Sequence, residues 1–278
     1  MSVTITAADV NKLRQLTGAG MMDCKKALTE AGGDFEGAID LLRKKGQKIA
    51  ANRADRTATE GVAIAKTNAQ ATVGVAFVLS CETDFVAKNA DFVAFANEVA
   101  DLALSSQAQT TEALLELDMG GVSLSQRLTE QVGKIGEKIE VVHYNLLTSA
   151  LVVPYIHAGN RVSVLVALDT ASQNLFSAGK DICMQIAAMS PVAVDEAEVP
   201  ESIRQKELEI GRERAIADGK PEALADRIAQ GALTKFLKDN TLLNQLFVKD
   251  NNITIRQFLA SVDKSAKVLA FRRVATGK

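Results

Sequence analysis

The stretch Val73-Gly74-Val75-Ala76-Phe77-Val78-Leu79-Ser80-Cys81-Glu82-Thr83-Asp84-Phe85-Val86-Ala87-Lys88 decides the fold. Val73, Val75, Phe77 and Leu79 recur at every second residue, the period of a half-buried strand. From about Asp91 to Leu104 the apolar period lengthens to that of a helix, with Phe95, Val99 and Leu102 on one side. A strand-like run at Val62 and Ile64 precedes this segment, and another over 136–147 follows it. Strands and helix in that order predict an α+β unit.

The pattern then returns. Leu151 to Ile156 and Arg161 to Leu168 read as strands, Lys180 to Met189 as a helix, and Val268 to Val274 as a closing strand. At a constant offset of 87 residues, Val75, Phe77, Leu79 and Cys81 fall on Val162, Val164, Val166 and Leu168. Phe95, Val99 and Leu102 fall on Ile182, Ile186 and Met189. Every apolar position stays apolar, which reads as a duplicated subdomain, although strand-then-helix patterning alone also produces such matches. At this offset Asp84 and Phe85 fall on Ala171 and Ser172, so the turn is expected to form without an acidic-aromatic pair. The pattern leaves two readings of Phe85 open. It tucks under its own loop, or it waits for a partner to bury it, worth roughly 2–3 kcal/mol when fully desolvated.

Residues 1–56 read as three short helices. Thr6 or Asp9 caps the first, the pair of glycines in Thr17-Gly18-Ala19-Gly20 stops it, and Asp34 caps the third, which carries Phe35, Ala38, Ile39, Leu41 and Leu42. The polar stretch 44–60 reads as a linker. Residues 200–240 read as an antiparallel helical hairpin turning at Asp218-Gly219-Lys220-Pro221. The domains expected are therefore a three-helix module with its linker over 1–56, a first core subdomain over 57–148, a second over 149–190 and 241–278, and the hairpin inserted over 191–240.

The formal net charge of −2 over 278 residues argues against a dedicated nucleic-acid binder. It conceals ten basic against seven acidic residues over 1–56, five against twelve over 57–150, and seven against two over 241–278. Separate surfaces with separate partners are expected. No apolar run approaches a membrane span, and the N-terminus lacks the layout of a signal peptide. Cys24, Cys81 and Cys183, odd in number and far apart, fit a reducing cytoplasm.

Enzyme signatures are missing. Gly18-Ala19-Gly20 opens a GxG, but Asp23 stands where a dinucleotide fingerprint needs its third glycine. There is no GxxxxGK[ST] and no GxSxG. His143 and His157 have no second ligand at metal-binding spacing. His143 reads as a structural strand residue, and His157 as an exposed turn residue open to a partner. No catalytic group, metal or cofactor is expected.

Two stretches carry a family signature. Leu13 to Leu28 (LRQLTGAGMMDCKKAL) resembles the N-terminal motif of bacterial elongation factor Ts, and Cys81 to Asn89 (CETDFVAKN) resembles a second motif of that family. Gly219-Lys220-Pro221-Glu222 and Phe247-Val248-Lys249 extend the resemblance over nearly the whole chain. The resemblance implies a ubiquitin-associated-like N-terminal module, a two-subdomain α+β core and a coiled-coil hairpin. It also implies a non-enzymatic guanine-nucleotide exchange factor in translation, whose partner is elongation factor Tu, GDP-bound and nucleotide-free. Asp84 and Phe85 would enter the GTPase and dislodge its Mg²⁺, with Thr83 and Val86 shaping the loop. Arg14, Met21, Met22 and Lys25 would grip a helix of the GTPase, and His157, Val248 and Lys249 would add contacts. Direct nucleic-acid or membrane binding is not implied, and pairing of two copies through the hairpin stays open. Val78, Ser80 and Leu246 depart from the family pattern, and a C-terminal helix found in some relatives is not expected after Arg272-Arg273.

Overall fold

The computed structural model describes residues 4–277. The outermost ends of the first and last expected domains, 1–3 and 278, lie outside the described residues. The chain is a mixture of helix and sheet that divides into two compact units, 1–64 with 77–146 and 274–278, and 65–76 with 147–273.

In the first unit, three helices open the chain: α1 (Ala7–Thr17), α2 (Met21–Glu30) and α3 (Phe35–Arg53). Thr6 and Asp9 form a reciprocal cap on α1, each side chain taking the other's backbone N–H. Gly18 ends α1 at φ +67°, a left-handed conformation that favours glycine. The Asp34 carboxylate accepts the Gly37 N–H at 2.8 Å and starts α3. Val10, Leu13, Cys24, Ala27, Leu28 and Ala38 make the small core of this bundle.

The stretch expected as a linker, 44–60, is helical as far as Arg53. Lys44, Lys45, Gln47 and Lys48 face outward without an apolar period, and the buried contact is made by Gly46. There α3 crosses α7 (Leu124–Ile135). A Cβ built on Gly133 of α7 would lie 2.9 Å from the Gly46 Cα, so the two backbones meet without side chains between them.

Strands β1 (Glu60–Thr67), β2 (Val73–Cys81) and β3 (Glu140–Thr148) form a sheet in the order β1-β2-β3. Between β2 and β3 lie α4 (Asp84–Ala87), α5 (Ala90–Ser106), α6 (Thr111–Leu115) and α7. β2 is buried along its whole length and not merely on alternate residues. Its second face carries Gly74, Ala76, Val78 and Ser80, which are small or apolar enough to be covered. Of the departures from the family pattern, Val78 is buried, and Ser80 donates its hydroxyl to the Glu140 carbonyl.

In the second unit, β4 (Leu151–Ile156), β5 (Val162–Leu168) and β8 (Val268–Ala275) form a sheet in the order β4-β5-β8. β4 and β5 pair antiparallel, Leu151 opposite Leu168 and Val153 opposite Val166. Helix α8 (Gln173–Met189) lies flush on β4, where a Cβ on Gly179 would meet Val153 Cγ2 at 2.6 Å. It begins two turns earlier than the Lys180 expected, capped by Ser172. The hairpin is α9 (Glu201–Ala217) and α10 (Glu222–Asn240), with Gly211 against Ala229. A short pair, β6 (Leu246–Phe247) and β7 (Asp250–Thr254), and α11 (Ile255–Val262) precede β8; none was expected from the sequence, although the Thr254–Gln257 capping box marks the start of α11.

The two sheets share one strand order, yet the ungapped offset between their sequences is wrong beyond the strands. Strand ends Cys81 and Leu168 keep the offset of 87, but helix caps Asn89 and Ser172 differ by 83. At 83, buried Phe92, Phe95, Ala96, Val99, Ala100 and Ala103 of α5 fall on buried Leu175, Ala178, Gly179, Ile182, Cys183 and Ile186 of α8. The first connection therefore holds four more residues, the length of α4 itself, and Asp84 and Phe85 have no counterparts.

Candidate functional site

The connection from β2 to α5 is a single helical turn held at its base by carboxylates. Thr83 is its N-cap, with Oγ accepting the Val86 N–H at 3.5 Å. Lys88 N–H donates to the Asp84 carbonyl, and Asn89 then caps α5 through the Asp91 and Phe92 N–H groups.

Glu137 reaches across from the segment before β3. Its Oε2 accepts the N–H groups of Glu82 and Thr83, each at 3.0 Å, and its Oε1 accepts the Thr83 hydroxyl at 2.6 Å. Glu82 reaches back, its Oε1 accepting the Lys138 N–H at 2.7 Å. The Arg53 guanidinium at the end of α3 binds both Glu82 oxygens at 2.8 Å. Lys138 Nζ donates to the Ala54 carbonyl. Burial raises the Glu82 carboxyl, but the Lys138 N–H and Arg53 outweigh it and hold the group below the usual carboxylate range. Burial, reinforced by Glu137, pushes the Cys81 thiol up to about 12. A protonated thiol is a donor, and it gives its S–H to the Thr83 carbonyl.

On this base the tip of the turn projects. Phe85 is 83% exposed, leaving its ring in solvent rather than under its own loop. Thr83 and Val86 are half-buried. The Asp84 carboxylate pairs with Lys88 Nζ at 2.6 Å, and that hydrogen bond holds it below the usual carboxylate range.

The N-terminal residues gather at the α1–α2 turn. Arg14 sits in the last turn of α1, Met21 and Met22 open α2, and Lys25 follows one turn on; all four are exposed. Leu16, which helical spacing offers as an alternative to Thr17 on the face of Val10 and Leu13, is exposed beside them, while Thr17 is half-buried. Next to this turn a cavity of about 270 Å³ has Leu16, Ile39 and Leu42 among its lining. Its cations are paired, Arg43 and Arg127 with Glu130 and Lys45 with Asp23.

The third group divides between two turns of the second unit. His157 is exposed in the β4–β5 turn, with Nδ1 3.0 Å from the Tyr155 hydroxyl. Val248 and Lys249 are exposed in the β6–β7 turn. The Val248 N–H donates to Gln185 Oε1, and Lys249 pairs with Asp181 at 2.8 Å. Leu246, where the family pattern has proline, is exposed ahead of them. His143, read as structural, is exposed in β3 at φ +56°.

Sequence reasoning missed Arg53, Glu82 and Glu137. Their contacts span 29 to 56 residues, and no local spacing signals them. Among the described residues there is no group of three or more His, Cys, Asp or Glu that could hold a metal ion, and no helix long and apolar enough to cross a membrane.

A family profile described as Elongation factor TS matches residues 82–278. The chain is 54% identical over 276 residues to a protein named Elongation factor Ts from Amoebophilus asiaticus, covering 99% of this chain and 100% of that one. Proteins of the same name from Christiangramia forsetii and Porphyromonas gingivalis are 52% and 44% identical, each over 98% of this chain and 99% and 98% of theirs.

Proposed function

The chain belongs to the elongation factor Ts family of translation elongation factors, and from that premise we propose that it binds GDP-bound elongation factor Tu and speeds release of the nucleotide. In this reading the turn Thr83–Val86 enters the GTPase, Asp84 and Phe85 displace a helix there, and the Mg²⁺ ion leaves with its contacts. The observation that carries it is Phe85, an aromatic ring standing in solvent on a turn whose base is fixed by three carboxylate hydrogen bonds.

No catalytic group is needed. Mg²⁺ is the largest local positive charge on bound GDP, so losing it weakens the nucleotide's hold. Factor and nucleotide then weaken one another by the same factor, since coupling between sites is reciprocal, and incoming GTP expels the factor. Burial of Phe85 offsets the cost of the displaced helix. Met21 and Met22, with Arg14 and Lys25, supply an adaptable grip on a helix of the partner. His157, Val248 and Lys249 add contacts from the second unit. The wider architecture follows the same reading: a ubiquitin-associated-like module over 1–56, duplicated core subdomains over 57–148 and over 149–190 with 241–278, and a coiled-coil hairpin over 191–240.

The test is stopped-flow release of fluorescent GDP from elongation factor Tu. Asp84→Ala combined with Phe85→Ala is expected to abolish stimulation while circular dichroism stays that of the parent. Full stimulation by a folded double variant would overturn the proposal.

A further inference from the structure

We propose that Glu137 is the positioning residue of the exchange turn, an inference that rests on the reading of Thr83–Val86 above. One carboxylate takes three donors from two successive residues, the N–H of Glu82 and both the N–H and hydroxyl of Thr83. Thr83 is also the N-cap of the turn, so fixing its hydroxyl fixes the axis along which Asp84 and Phe85 project.

The second unit separates this role from a structural one. There Asp169 accepts the Lys267 N–H at 2.8 Å at the start of β8, as Glu82 accepts the Lys138 N–H ahead of β3. That bond joins the end of the middle strand to the beginning of the outer one, and both units have it. The residue before Lys138 is Glu137, whereas the residue before Lys267 is Ala266, and Ala266 is buried. The fold therefore closes this corner without a carboxylate at that position. It has one only in the unit whose connection carries the additional turn. Glu137 is the companion of the insertion, and its work is to hold the turn ready so that ordering it is not charged to the encounter with the GTPase.

The experiment compares full-length E137A, E137Q and D84A/F85A in GDP release from elongation factor Tu, reading the saturating rate and the half-saturating factor concentration separately. Amide exchange at Thr83 is followed alongside. E137A is expected to lower the saturating rate about tenfold, the factor for freeing roughly one residue's backbone, with a smaller change in half-saturation and faster exchange at Thr83. E137Q keeps an oxygen for the two N–H groups and offers its NH₂ to the Thr83 hydroxyl, so it stays within about threefold of the parent. Should E137A not fold, Thr83→Val carries the test, because it removes the hydroxyl that Glu137 holds; it is expected to slow the saturating rate. A parental saturating rate in E137A, or in Thr83→Val where that variant stands in, while D84A/F85A is inactive, overturns this inference alone. A parental rate in D84A/F85A overturns the reading beneath it.

Discussion

Two connections leave matching strand ends and arrive at matching helices. From Cys81 to the cap Asn89 there are seven intervening residues, and from Leu168 to the cap Ser172 there are three. Both helices are 17 residues long, and every position buried in α5 is buried in α8, which adds Gln185. Three residues therefore suffice to turn a strand of this sheet into its helix. The four additional residues of α4 contribute no buried side chain. They are an attachment to a finished fold, and their chemistry faces outward.

The most severe way to test this contrast is to make the first connection resemble the second. Deleting Asp84–Ala87 is expected to remove stimulated GDP release entirely. Far-UV circular dichroism should persist, with a thermal midpoint within about 4 °C, roughly 1 kcal/mol in a chain of this size. A deletion that unfolds the protein would show that the turn belongs to the fold. The next largest effect separates the two acidic residues at the strand ends. Glu82 is mostly buried and joins Lys138 N–H to Arg53, so Glu82→Ala should cost about 1–3 kcal/mol in urea unfolding. Asp169 is exposed, and Asp169→Ala should cost less than about 1 kcal/mol. Equal costs would blur the distinction.

Acid sharpens the same point. The Glu82 carboxyl in the folded protein lies below its ordinary 4.5, so its contribution is complete above that value and disappears as pH falls through the lower folded one. Stability of the parent should decline over this window, and Glu82→Gln should flatten that decline in urea titrations at successive pH values. The smallest effect is expected from Phe85→Ala. With the ring in solvent, unfolding free energy should shift by no more than about 0.5 kcal/mol, even as exchange fails. A clear destabilisation would mean that the ring packs on its own chain.

The strands, the caps at Thr6 and Asp34 and the hairpin turn were legible because each is written locally. The length of the first connection was not. Four residues is close to one helical turn of about 3.6, so the apolar face of α5 matches α8 at either offset and periodicity cannot detect the insertion. The tail of α3 was hidden for a related reason, since its one buried residue is a glycine and only the half-buried Ile49 and Ala50 leave an apolar mark among the charges. Helix α7 was readable in principle from Leu124, Leu128 and Val132 with the Ser123–Gln126 cap. The Asp84–Phe85 tip stood out in sequence, whereas Glu137, which bonds Glu82 and Thr83 at its base, is distant in the chain and has no pattern of its own.

The crossing at Gly46 and Gly133 makes α3 a lever on a fulcrum. Its near arm runs about 16 Å back to Phe35 in the N-terminal bundle, and its far arm about 10 Å on to Arg53 at the loop base. One methyl group slipped under the fulcrum would tilt both arms at once, swinging the bundle through the wider arc. Two glycines thus calibrate how far the α1–α2 turn stands from the turn at Thr83–Val86.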